Sequence, residues 1–154
     1  MSAEWWNKSE PYGCTLETVL LKPNNPKIIA HVSLAYVRDK NIGIKYVGIP
    51  EIEQNKLFLD INITQFSYQE ILDNMSDVIS VNIDGDSLTK SEYQSYDVIF
   101  NEKITNSILE REKKSLDIVI TTKKGTFKHT FYFNYSDEFD FHKSMFKGCV
   151  EYGT

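Results

Sequence analysis

Cys14 and Cys149 are the only two cysteines in this chain of 154 residues, and they stand close to its opposite ends. An even pair that brackets nearly the whole sequence reads as one clasp. Bonded, the two would hold their sulfurs about 2.05 Å apart. The closed loop of roughly 135 residues would remove about 5 kcal/mol of chain entropy from the unfolded state. The first and last elements would then have to meet on one surface. Persistent disulfides belong to oxidising compartments, so the pair points to a periplasmic or secreted protein. The opening Met1-Ser2-Ala3-Glu4-Trp5-Trp6 lacks the basic and apolar regions of a signal peptide. A cytoplasmic protein with two separate thiols is the competing reading.

Between the cysteines, turn signals recur every 8 to 15 residues and separate β-branched and aromatic runs. Tyr12 to Leu21 alternates, with Cys14, Leu16, Thr18 and Leu20 on one face, and predicts a strand. Two prolines in Lys22-Pro23-Asn24-Asn25-Pro26 break it. Lys27 to Val37 is a second strand, and Arg38-Asp39-Lys40-Asn41 is read as a turn into a third at Ile42 to Gly48. Lys56 to Ile63 alternates again. The period changes at Tyr68 to Met75, which predicts a short helix. Val78 to Ile83 is a strand ending in an Asp84-Gly85-Asp86 turn, and Tyr96 to Phe100 is a further short strand.

Asn101 is placed to cap a helix that carries Ile104, Ile108 and Leu109 on a narrow apolar stripe and runs to Lys114. Leu116 to Thr122 and Phe127 to Tyr135 form a hairpin around Lys124-Gly125. A terminal helix starts after Ser136, buries Phe139, His142 and Phe146, and stops at Gly148, with Cys149 just beyond. The expected fold is α+β and mainly antiparallel: one sandwich-like domain over residues 1–154, with two or three short peripheral helices.

A chain this long buries about two-thirds of its unfolded surface, so the clasp is not required for folding. Hydrophobic residues make up 41% and charged residues 25%, as in ordinary globular proteins. A net charge of −5 argues against nucleic acid and favours a basic protein partner, or an uncharged one. No run approaches the length of a membrane span.

Chemistry is sparse. Ala30-His31-Val32-Ser33-Leu34 resembles one half of the active site of the two-histidine phosphoesterases, in which paired histidines act as acid and base and the hydroxyls bind phosphate. That reading needs a second motif around His129 or His142. His129-Thr130-Phe131 has Phe at the hydroxyl position, and His142-Lys143-Ser144 lies in a helical segment. The competing reading makes His31 a polar-face strand residue. Asp84-Gly85-Asp86-Ser87 starts like a calcium loop, but Leu88 and Ser95 replace the carboxylates such a loop needs. No metal or cofactor is expected. Trp5 and Trp6, adjacent near the start, and Tyr132 on the late hairpin are candidate aromatic anchors for a protein partner.

End to end, the chain resembles the invasion-associated locus B type of small bacterial envelope protein. The resemblance rests on Glu4-Trp5-Trp6, Cys14-Thr15-Leu16, the paired early strands Ile28 to Leu34 and Ile42 to Gly48, Val81-Asn82-Ile83-Asp84-Gly85, the late hairpin and Phe146-Lys147-Gly148-Cys149. It implies a β-sandwich-like, periplasmic or secreted protein that binds rather than catalyses, and it supplies no catalytic residues. The acidic, clasped, β-rich format also suits inhibitors and immunity proteins. Two alternatives remain at this point. One is the phosphoesterase, acting on a small nucleotide or RNA end. The other is a phage or mobile-element accessory protein that binds a host factor.

Overall fold

The alternating segments do become strands, and their pairing generates two antiparallel sheets. The computed structural model describes residues 4–47, 53–65, 78–89, 92–94, 98–123 and 125–152. Within these, the order is β1 (Trp5–Glu10), β2 (Gly13–Lys22), β3 (Asn25–Val37), α1 (Lys40–Val47), β4 (Leu57–Gln65), β5 (Val78–Ile83) and β6 (Asp86–Ser87). There follow β7 (Tyr93–Gln94), β8 (Val98–Ile99), α2 (Glu102–Leu109), β9 (Ser115–Thr122), β10 (Gly125–Tyr132) and α3 (Asp137–Tyr152). One sheet runs β1-β2-β3-β4-β8-β7, the other β10-β9-β5-β6. The expected helix at Tyr68 to Met75 lies outside the described residues.

Strand periodicity sets the core. On β2, Cys14, Leu16, Thr18 and Leu20 point inward and are buried, as the alternation predicts. Ile28, Ala30, Val32 and Leu34 of β3 and Leu59, Ile61 and Ile63 of β4 continue that face. Against it the second sheet sets Leu116, Ile118 and Ile120 of β9, Val81 and Ile83 of β5 and Phe131 of β10, all within one buried cluster. The β5–β6 turn has Asp84 at φ 53° and Gly85 at φ 87°, the left-handed pair that matches strand twist in tight hairpins.

Three expectations are corrected. The expected strand from Ile42 is not formed: Lys40–Val47 is helical, and Gly48 lies outside the described residues. Asp39 Oδ1 accepts the amides of Asn41 at 3.1 Å and Ile42 at 3.2 Å, a cap that outweighs the alternating pattern. Gly43 lets α1 press onto the end of β3, since a Cβ there would lie 2.8 Å from Val37 Cγ1. The neighbour of β3 is therefore β4, and one piece of the family resemblance is lost. Second, α2 ends at Leu109 rather than Lys114. Arg111 takes φ 61°, its amide bonds Ile108 O, and the Glu112 amide bonds Ser107 O. This is the pairing of a Schellman stop, with arginine where glycine is usual. Arg111 is held there by Asp140 at 2.9 Å and Tyr135 O at 3.0 Å.

Third, Gly148 does not stop the last helix, which continues through Cys149 to Tyr152. α3 lies over β1 and β2, and tertiary contacts carry it past the glycine. Cys14 and Cys149 are joined, with Cα atoms 6.1 Å apart. Beside the bond, Arg38 Nη2 donates to Cys149 O.

Candidate functional site

The outer face of the six-stranded sheet carries most of the polar residues singled out in the sequence. Cross-strand register lines up Trp6, Glu17, Ser33 and Asp60 over β1 to β4, with His31 beside them between Val19 and Asn62. The Glu17 side chain is only 7% exposed, whereas that of His31 is 44% exposed. His31 Nε2 lies 2.7 Å from Glu17 Oε1, and Thr15 Oγ1 donates to Oε2 at 2.8 Å. Lys8 Nζ approaches the same carboxylate at 3.8 Å. The Trp6 ring sits 5.6 Å from the His31 ring, centroid to centroid. Burial, then the carboxylates of Glu10, Glu17 and Asp60, push the Tyr12 hydroxyl up to about 12. This is an acidic and aromatic patch. Glu17, a buried carboxylate between Leu16 and Thr18, is its centre and was not singled out in the sequence. Its only signal there is a charge on the polar side of an alternating strand.

His31 does not meet either other histidine. His142 Nδ1, on α3, is 2.6 Å from Asn7 Oδ1, and Asn7 shares the inner side of β1 with Trp5. His129 lies on the inner face of β10, stacked on Phe131 with ring centroids 6.1 Å apart. Strand alternation therefore puts the sheet between His31 and the other two. Two facing His-x-Ser/Thr motifs are not formed, and Ser33 lines up with Glu17 rather than with a second imidazole. Among the described residues no three His, Cys, Asp or Glu side chains gather as a metal site would require.

His129 is a core residue with a pH consequence. Burial, and secondarily Lys22 with Nζ 3.3 Å from Nδ1, lowers its pKa to about 4. The folded state thus binds fewer protons than the unfolded one between that value and about 6.5. Its contribution to stability is full above about 6.5 and is lost as pH falls toward about 4. We expect the difference in unfolding free energy between wild type and His129→Phe to shrink across that window by at most about 3 kcal/mol. Urea titrations at several pH values test this, and a pH-independent difference would refute it.

The aromatic anchors divide. Trp5 is corrected: at 2% exposure it is buried and cannot meet a partner. Its indole N–H donates to Asn134 O at 2.8 Å. Its ring packs on Phe139 at 4.6 Å, Tyr135 at 5.8 Å and Phe133 at 6.3 Å. Trp6 is half-buried on the outer face, and Tyr132 is 60% exposed.

Among the described residues, three of the five exposed large hydrophobic side chains lie elsewhere, on one helix. α3 buries Phe139, Phe146 and Cys149, while Phe141, Met145 and Tyr152 are 63%, 53% and 85% exposed. The spacing Phe141, Met145, Gly148, Tyr152 steps by four, three and four, so these residues form one stripe on the side away from the core. That second stripe was legible in the spacing, but the inward Phe139 and Phe146 masked it. The helix beneath is fixed by the disulfide, and by Lys143 and Lys147, which reach Glu110 of the residues after α2 at 3.6 Å and 3.5 Å. No described helix is long and apolar enough to cross a membrane.

No family model, curated protein or solved structure matches this chain.

Proposed function

We propose that the chain is a non-catalytic protein-binding protein of a periplasmic or secreted space, acting through the outer stripe of α3. The observation that carries this is three large apolar side chains kept in solvent on a helix whose opposite face is bolted to the core. Exposed apolar area of this kind on a rigid element fits a contact surface, with aromatic and methionine side chains as its anchors. The disulfide supports the oxidising compartment. The resemblance to the invasion-associated locus B type supports the same setting, and inhibitor or immunity roles fall within it.

The test is capture from an envelope extract and culture medium of the source organism, with the oxidised chain as bait. A partner held by wild type and by His31→Ala, but lost with Phe141→Ser/Met145→Ser, is the expected result. Both positions are exposed, so that variant should fold within about 0.5 kcal/mol of wild type. Equal capture by the stripe variant would sink the reading.

A further inference from the structure

The charge beside the stripe that makes no ion pair among the described residues is negative. Asp137 and Glu138 stand four and three residues before Phe141, and Glu151 lies three after Gly148, so all three border it. None of the three makes an ion pair among the described residues, whereas Asp140 is engaged by Arg111. The two lysines of the helix lie on the flank toward Glu110 and are held there. Their proximity keeps the Glu110 carboxyl below its ordinary range, Lys143 contributing most. Carboxylates without an ion pair thus border the apolar side chains, while both lysines already face Glu110.

Gly148 adds shape. A Cβ there would meet nothing within 4 Å, and a shallow hollow of about 470 Å³ opens beside it, lined by Lys143 and Lys147 as well as Asp140, Ser144, Glu151 and Tyr152. It is large enough for a long side chain, but both lysines share its wall with two carboxylates, so the hollow by itself selects neither sign of charge.

We propose, building on the docking reading above, that the occupant is a cationic amphipathic helix of another protein. Its apolar side lies along Phe141, Met145 and Tyr152, and its Arg or Lys side chains face the carboxylates of Asp137, Glu138 and Glu151. A second copy of this chain fits less well. Antiparallel pairing about Met145 sets Tyr152 opposite Glu138 and Glu151 opposite position 139, between the carboxylates of Glu138 and Asp140, and parallel pairing faces each carboxylate with its twin. An anionic lipid surface is repelled by the same rim.

The test uses the whole, oxidised chain and a labelled peptide of about 18 residues, or five turns, with Leu on one face and Arg on the other. Twins carry Glu or Gln in place of Arg. Fluorescence anisotropy is read at about 0.05 M and 0.5 M salt, where screening differs several-fold. The Arg peptide should bind at least about tenfold more tightly than the Gln twin, weaken at high salt, and leave the Glu twin unbound. Phe141→Ser/Met145→Ser should lose about tenfold, and Glu151→Lys a comparable amount. The Gly148 amide should shift in nuclear magnetic resonance spectra on titration.

Equal binding of the Arg and Glu peptides, or undiminished Arg-peptide binding by the stripe variant, overturns the cationic partner. So does a concentration-dependent dimer that the stripe variant lacks, which would make a second copy the occupant. If partner capture still depends on Phe141 and Met145 in those cases, the docking surface stands without this chemistry. If capture ignores them, both fall.

Discussion

Replacing Cys14 and Cys149 together by serine is expected to lower the thermal midpoint by about 10–20 °C. The bond spans a sequence separation of 135 residues, and the chain-entropy relation gives about 5 kcal/mol for such a loop. A domain of this size is stable by only about 5–15 kcal/mol in total. The loss should be regional before it is global. Without the bond, α3 keeps its aromatic packing and the Arg38 contact to Cys149 O, but its C-terminal half loses its covalent hold. Hydrogen exchange should then show amides of the last helical turns opening first, with those of β3 and β4 following at the global transition. Thermal melts and exchange with and without reductant test this. An unchanged midpoint, with both thiols shown to be free, would overturn it.

Trp5→Ala should cost about 3–5 kcal/mol, the range for removing a large buried aromatic. The indole touches three aromatic rings, and its removal leaves Asn134 O without the N–H it accepts. Trp5→Phe restores part of the packing but not that bond, so about 1–3 kcal/mol of the deficit should remain. Trp6→Ala, at the next position but on the opposite face, should cost far less because that ring is half in solvent. Denaturant midpoints of the three variants decide the matter. Near-equal losses for Trp5→Ala and Trp6→Ala would mean that the faces of β1 have been assigned the wrong way round.

Strands whose two faces differ in polarity were legible from sequence. β2, β3, β4, β5 and β9 lie where alternation puts them, because one-sided burial selects a single register. The Asn101 cap was legible too: its Oδ1 accepts the Ile104 amide at 3.0 Å. What misled was competition between local signals. Asp39 could end a turn or start a helix, and Ile42-Gly43-Ile44 alternates equally well in either case. Gly148 resembles a stop only when the disulfide and the β1–β2 surface beneath it are unknown. The acidic patch was half visible. His31 and Ser33 drew notice as a tripeptide, yet Glu17, which engages His31, sits fourteen positions earlier and is joined to it only by strand pairing. The stripe on α3 was hidden by a different difficulty, since a helix with two apolar sides gives no sign of which side faces the core.

The terminal helix rests on the first two strands, and that placement orders the life of a newly made chain. β1 and β2 leave the ribosome early and can pair at once, but their inner face waits for the last sixteen helical residues. At ordinary elongation rates the wait is on the order of ten seconds. During it Trp5, Leu16 and a reduced Cys14 have no native cover. The final lid is also what brings the second sulfur, so oxidation to the native bond can only follow synthesis of residue 149. A truncated product, or one halted before residue 137, would be left with an open apolar face and an unmatched thiol, two marks by which quality control could tell it from a finished molecule.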